Sequence, residues 1–211
     1  MIRLKDKDIE IVSYDTNVNP EDIVRLANNR KVSINLRDVF PFPYTLDDAK
    51  QWIEYASSNT KTTFRILVSN KFAGGIGLIR KNDIHSRTLE LGYWLGEPYW
   101  GKGIMSRCVK LILAYAFEML DALRIEALPK TRNAGSRRVL EKNGFVLEGI
   151  LRSSAVKEGI VCDMAMYSVI RDQATLETTK MSSSMFVSIV AAAAVSAALF
   201  ISIYNKTRRR R

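Results

Sequence analysis

Histidine and cysteine are nearly absent from this chain: of 211 residues, one is histidine and two are cysteine. A single histidine, His85, argues against a histidine-based catalytic triad. It falls in a polar stretch, Lys81-Asn-Asp-Ile-His-Ser-Arg87, that reads as a solvated hairpin loop. No Cys/His pair has zinc-ligand spacing, and no metal is expected. Two cysteines do not make a disulfide framework. Cys108 lies on the apolar face of a helix pattern and Cys162 in a strand pattern, so both are expected buried and reduced. Acids are missing from residues 178–211, which hold six positive charges, Lys180, Lys206 and Arg208 to Arg211. That tail inflates the net charge of +10; residues 1–177 carry 26 basic against 22 acidic residues. A basic balance of +4 does not point to nucleic acid, and no nucleic-acid partner is expected. The opening residues, Met1-Ile-Arg-Leu-Lys-Asp-Lys-Asp8, bring acids at once and do not make a signal peptide. With 47% hydrophobic and 26% charged residues, the composition suits one globular domain and a short appendage.

Glycine is informative where it does occur. In Pro98-Tyr-Trp-Gly-Lys-Gly-Ile-Met-Ser106, Gly101 and Gly103 follow a strand pattern and precede a long amphipathic one. Glycines there let a backbone approach an anion with no Cβ in the way. The free N–H groups of the next helix, aided by its dipole, favour a pyrophosphate. The stretch lacks the Gly-x-x-x-x-Gly-Lys-Ser/Thr of nucleotide triphosphatases, and Ser106 stands where a dinucleotide fold has a third glycine. By itself it fits an ordinary glycine-rich turn equally well.

Hydrophobic periodicity orders the remainder. Strands are expected at Asp8–Tyr14, 63–68, 72–80, 89–95, 124–128, 145–153 and 161–168. Helices are expected from Asn19-Pro-Glu-Asp22 through Ala27, near Ser33–Arg37, after the Thr45 cap, at about Gly103–Leu120, and at about Ser136–Asn143, where Asn143-Gly144 is a stop signal. In the long helix Ile104, Cys108, Leu111, Ile112, Tyr115 and Met119 share one face. Val39-Phe-Pro-Phe-Pro-Tyr44 reads as a proline-stiffened aromatic loop.

Leu89-Glu-Leu-Gly-Tyr-Trp-Leu-Gly96, the Gly101/Gly103 loop, the strand Arg124-Ile-Glu-Ala-Leu128 and Asn133-Ala-Gly-Ser-Arg-Arg-Val-Leu-Glu-Lys-Asn-Gly-Phe145 occur in that order. This series resembles the GNAT superfamily of acyl-CoA-dependent N-acetyltransferases, and within it the branch that acetylates N-terminal alanines of ribosomal proteins. The resemblance covers roughly residues 8–170. It implies an α+β GNAT acyltransferase fold, with a central mixed, mostly antiparallel sheet flanked by helices. It also implies acetyl-CoA as cosubstrate and a primary amine as acceptor, a protein N-terminus being favoured. The alternatives are a small amine such as a polyamine or amino-sugar, or a membrane-tethered acyl-CoA-binding module without catalysis.

By the same resemblance, the amides of Gly101, Lys102, Gly103, Ile104, Met105 and Ser106 hold the pyrophosphate. The strand ending at Trp94 and Leu95 splays from its neighbour to admit pantetheine, and an N–H near Leu95 polarises the thioester carbonyl. Asn133 and Ser136 contact the cofactor arm; for Asn133 a helix cap is an equally good local reading. Glu90 and Glu126, beside the cleft, are candidates to deprotonate the amine through a water. Phe40, Phe42 and Tyr44 are candidates to line the amine pocket, or to pack as simple core. Two positions depart from the family pattern. Pro98 replaces a usual Gln or Arg, and Leu140 stands where many members place an acidic tyrosine. Either Ser136 takes over as proton donor to the thiolate, or solvent does.

These patterns divide the chain into an acetyltransferase domain at 1–171, a polar linker at 172–184, an apolar segment at 185–204 and a basic tail at 205–211. The segment from Met185 to Tyr204 has 20 residues and no charge. At about 1.5 Å per residue it spans roughly 30 Å, the thickness of the bilayer hydrocarbon. Tyr204 sits at an interface position and Lys206-Thr-Arg-Arg-Arg-Arg211 follows. The expectation is one C-terminal transmembrane helix, a tail anchor with the enzyme domain in the cytosol. The alanine-rich span and basic tip resemble anchors of the mitochondrial outer membrane or peroxisome more than those of the endoplasmic reticulum.

Overall fold

The computed structural model describes residues 1–171. The linker, the apolar segment at 185–204 and the basic tail lie outside the described residues; among those described, no helix is long and apolar enough to cross a membrane.

Eight strands form one sheet: β1 (Arg3–Asp6), β2 (Ile9–Ser13), β3 (Thr63–Val68), β4 (Lys71–Arg80), β5 (Thr88–Leu95), β6 (Arg124–Ala127), β7 (Val146–Lys157) and β8 (Ile160–Ile170). Their spatial order is β1-β2-β3-β4-β5-β6-β8-β7. Every neighbouring pair is antiparallel except β5–β6, which is parallel. Five helices accompany the sheet: α1 (Pro20–Ala27), α2 (Arg30–Ser33), α3 (Leu46–Ser58), α4 (Ile104–Met119) and α5 (Ala134–Glu141). This is the mixed, mostly antiparallel sheet with flanking helices that the sequence predicts.

The two faces of the sheet carry different layers. α4 packs on the face that presents Phe64, whose ring meets Tyr115 edge-on at 5.6 Å. Cys108, Val109, Ile112 and Ala116 of α4 are fully buried there. Met119 departs from expectation: it is the last residue of α4 and is 64% exposed. α1 and α3 cover the opposite face through Ile23, Leu26, Ala27, Ala49, Ile53 and Ala56, around Tyr14 and Phe72. α3 begins with a complete capping box: Asp48 N–H donates to Thr45 Oγ1 at 3.2 Å, and Thr45 N–H to Asp48 Oδ2 at 2.7 Å.

Four boundaries differ from expectation for local reasons. β1 is a short polar strand at the sheet edge, where charge discourages pairing with another chain. Arg107 of α4 holds it, donating to Asp6 Oδ2 at 2.6 Å. α2 starts at Arg30 rather than Ser33, because Asn29 caps it by accepting from Lys31 N–H at 2.9 Å. α5 starts two residues early because Asn133 caps it. β7 and β8 run on to meet at Glu158-Gly159. Both residues have positive φ, the two-residue turn whose twist matches a hairpin. His85 sits exposed in a short helical turn, Asp83–His85, of the β4–β5 connection.

Candidate active site

The site begins where two strands part. β5 and β6 pair at only three rungs, the last being Glu90 with Glu126. β6 ends at Ala127, while β5 continues to Leu95 with β4 as its partner. The result is a wedge between Leu91–Leu95 and the end of β6, where the resemblance implies a splay. Gly74 and Gly75 of β4 permit the tight backing of β5 here. A Cβ on Gly74 would lie 2.3 Å from Trp94 O, and one on Gly75 would lie 2.9 Å from Trp94 Nε1.

At the end of β5 the chain turns through Glu97–Tyr99 into the glycine loop. Gly101 and Gly103 both adopt left-handed backbone, with φ of 73° and 71°, and a Cβ on either would meet open space. Gly103 is the N-cap of α4 and no side chain caps the helix. The amides of Gly101, Lys102, Gly103, Ile104, Met105 and Ser106 have no hydrogen-bond partner among the described residues. Six unsatisfied donors at a helix N-terminus fit an anion well. Lys102 turns its ammonium onto Pro98 O at 2.8 Å, and Trp100 Nε1 donates to Leu95 O at 2.6 Å, closing the loop on itself. Ser106 Oγ accepts from Asn143 Nδ2 at 3.0 Å, which joins the start of α4 to the end of α5.

Asn133 and Ser136 lie at the other side of the wedge. Asn133 Oδ1 accepts from Ser136 N–H at 3.1 Å, so the capping role is realised. Ser136 Oγ lies 2.8 Å from Tyr93 Oη. Leu140 is fully buried and offers no proton. Tyr93 is a residue the sequence reading passes over. Strand alternation puts it on the face opposite Glu90, but only the departure of β6 lets its hydroxyl reach α5.

Glu90 and Glu126 stand side by side on the last rung of the parallel pair, each with its own cation. Arg37 pairs with Oε1 of the half-buried Glu90. Glu126 is buried, and both its oxygens accept from Lys81 Nζ, at 2.6 and 2.9 Å. Beside Glu90, Gly92 is exposed and nothing lies within 4 Å of where its Cβ would be. This face of β5 is therefore open at Gly92, between Glu90 and Trp94.

Phe40 and Tyr44 converge beside Trp94: Phe40 lies 4.9 Å from the Tyr44 ring and 5.5 Å from that of Trp94. Burial raises the Tyr44 hydroxyl well above its usual range. Phe42 is not with them. It is 45% exposed and stacks under the Arg30 guanidinium, 5.5 Å from the ring centre.

The segment carrying these aromatics is tied down by polar contacts. Asn29 Nδ2 donates to Glu97 Oε2 at 2.8 Å, and Lys31 pairs with the same carboxylate. Those two hydrogen bonds hold Glu97 below the usual carboxylate range. Arg30 pairs with Glu158, Lys157 Nζ lies 2.9 Å from Asp38, and Lys130 Nζ donates to Ile34 O at 2.5 Å. Burial pushes the Lys130 ammonium down. None of these pairs is legible in the sequence, since the partners lie 66 to 128 residues apart.

Residues 16–146 match the acetyltransferase (GNAT) domain family, and the chain belongs to that family of acyl-CoA-dependent N-acetyltransferases. It is 43% identical over 84 residues to a probable N-acetyltransferase, YjcK, of Bacillus subtilis, covering 40% of this chain and 46% of that one. It is 31% identical over 99 residues to the ribosomal-protein-serine acetyltransferase of Escherichia coli, covering 46% and 55%. The matched stretch thus spans about half the length of these curated relatives. The fold is that of RimL, a ribosomal alpha-N-protein acetyltransferase solved in complex with coenzyme A. The TM-score is 0.73 at 20% identity, covering 82% of this chain and 99% of that one. GNAT acetyltransferases use acetyl-CoA as cosubstrate, and no group of residues that could hold a metal occurs among the described residues.

Proposed function

We propose that this chain transfers the acetyl group of acetyl-CoA to a primary amine, with a protein N-terminus as the favoured acceptor. The observation that carries this reading is the wedge after Glu90–Glu126 lying beside an uncapped helix N-terminus with six free amides. Acetyl-CoA, when bound, supplies an acetyl group activated as a thioester. The amides from Gly101 to Ser106 would hold its pyrophosphate, with Asn133 and Ser136 beside the pantetheine arm and the β5 backbone near Leu95 as hydrogen-bond donor to the carbonyl.

An amine must be neutral to attack, so a base is needed. Glu90 suits that role better than Glu126. One of its oxygens is free of Arg37 and it lies beside the open face at Gly92, whereas Lys81 occupies both oxygens of Glu126. Phe40, Tyr44 and Trp94 would form one wall of the amine site, with Phe42 outside it. The open face at Gly92 supports a peptide as acceptor, because it leaves room for backbone beside Glu90. The ribosomal-protein-serine acetyltransferase among the relatives supports the same class.

The test is free-thiol release by the full chain from acetyl-CoA, against a pool of N-terminal peptides and small amines. Turnover with peptides is expected. Turnover with polyamines or amino-sugars alone overturns the acceptor class. Tight cofactor binding without turnover on any acceptor favours the tethered binding module.

We propose also that residues 185–204 span a membrane, with the acetyltransferase domain on its cytosolic side. The uncharged run of 20 residues supports the span, and two free, buried cysteines suit a reducing compartment. A fluorescent fusion should sediment with membranes and become soluble when residues 185–211 are deleted; a fusion soluble from the start refutes the span. Imaging of the same fusion tests the mitochondrial outer membrane or peroxisome as its address.

A further inference from the structure

Past Glu90, β5 has lost β6 as a neighbour, and the side chain of Tyr93 reaches instead to the first turn of α5. Its Oη lies 2.8 Å from Ser136 Oγ and 3.2 Å from Ser136 O. The bond joins two sides of the wedge through residues 43 apart in sequence. A serine hydroxyl rotates freely and points its hydrogen wherever an acceptor stands. Either hydroxyl can donate across the 2.8 Å contact, and the phenol also reaches the Ser136 carbonyl; with the phenol donating to Oγ, one serine lone pair is filled and the serine hydrogen is left for something else. The usual tyrosine of the family is absent, with the fully buried Leu140 in its place.

Proton transfer to a thiolate is a poor use of this pair. An alcohol is about as weak an acid as water and far weaker than a thiol, whose pKa lies at about 8.5. Burial pushes the Tyr93 phenol up to about 12, so it too holds its proton more tightly than a thiol does. Either donor can share a hydrogen with sulfur, and neither gives it up. Asn133 and Tyr93 together fix Ser136, the first at its backbone N–H and the second at its side chain.

We propose that Tyr93 is a positioning residue that holds the Ser136 hydroxyl as a hydrogen-bond donor to the departing thiolate, which leaves unprotonated. This rests on the acyl-CoA reading above. As the amine nitrogen bonds to the acetyl carbon, the C–S bond breaks and its electron pair goes to sulfur. The amine proton leaves through Glu90 or water, and the thiolate is protonated by solvent after release. No proton passes through Tyr93 or Ser136.

The test titrates the thiol of free CoA bound to the full chain, read by the ultraviolet absorbance of the thiolate, so it needs neither acceptor nor turnover. The bound thiol should titrate below free CoA. Tyr93→Phe keeps the ring and should raise that value by about one pH unit, as expected for one hydrogen bond to a charged group. Ser136→Ala should do the same, and the double variant should add nothing further. An unchanged value in Tyr93→Phe overturns the inference, as does a wild-type value equal to that of free CoA. CoA that does not bind at all overturns the acyl-CoA reading itself, and this inference with it.

Discussion

Replacing Gly103 by aspartate puts a negative charge at the N-cap of α4, where six amides await an anion. Two effects on stability oppose each other. The left-handed φ of 71° costs a side-chain residue roughly 1 kcal/mol, with aspartate among the more tolerant. A carboxylate capping the exposed amides returns about 1 kcal/mol. The folded state should therefore change little, with Tm moving by only about 2–4 °C. Ligand binding should change much more. A carboxylate about 5 Å from a pyrophosphate bearing about two charges is repelled by ~1.7 kcal/mol at water-like dielectric, and by several times that where water is excluded. The loop is exposed, so the lower figure applies. At about 1.4 kcal/mol per decade, the Kd for CoA should rise at least tenfold. Gly103→Ala is the control, carrying the same backbone strain without the charge. Calorimetric titration with CoA should separate the two variants, while pantetheine, which lacks the pyrophosphate, should not. The separation should shrink in about 1 M salt, where the Debye length falls to roughly 3 Å. Equal CoA affinity in Gly103→Asp and Gly103→Ala at low salt would refute the anion role of this loop.

Further outcomes follow from other parts of the domain. Glu90→Gln should lower kcat by about a hundredfold or more while leaving CoA affinity intact; unchanged turnover removes Glu90 as the base. Burial pushes the Cys108 thiol from 9.0 to about 12, leaving roughly a thousandfold less thiolate. Iodoacetamide should reach Cys108 only after denaturation, and labelling in the native state at the rate of a free thiol contradicts its packing against the sheet. Arg124, and then the Ser168 hydroxyl, hold the Glu148 carboxyl down to about 2 against an ordinary 4.5. A depressed folded pKa stabilises above the unfolded value, so this contribution is present above about pH 4.5 and is lost as pH falls toward 2. Denaturant midpoints taken from pH 6 to pH 3 should fall less steeply in Glu148→Gln than in wild type, and parallel curves would count against the pair.

Local chemistry was legible because it depends on neighbours in the chain. Thr45 and Asp48 form their cap within one turn, and the face of α4 that carries Cys108 and Ile112 shows in a 3.6-residue period. Gly101 and Gly103 adopt the left-handed backbone that their position between strand and helix requires. The order of these signals was enough to specify the family, its sheet and its cosubstrate. The wedge was expected from the resemblance, yet its position, after the rung of Glu90 and Glu126, is a property of strand register. Register also decides which carboxylate meets which cation, giving Arg37 to Glu90 and Lys81 to Glu126. Tyr93 and Ser136 become partners only because β6 leaves β5, and Phe42 lies outside the aromatic cluster, under Arg30. Short-range propensity fixes helices, caps and turns. Contacts across tens of residues depend on how the strands line up, and that alignment exists only in the folded sheet.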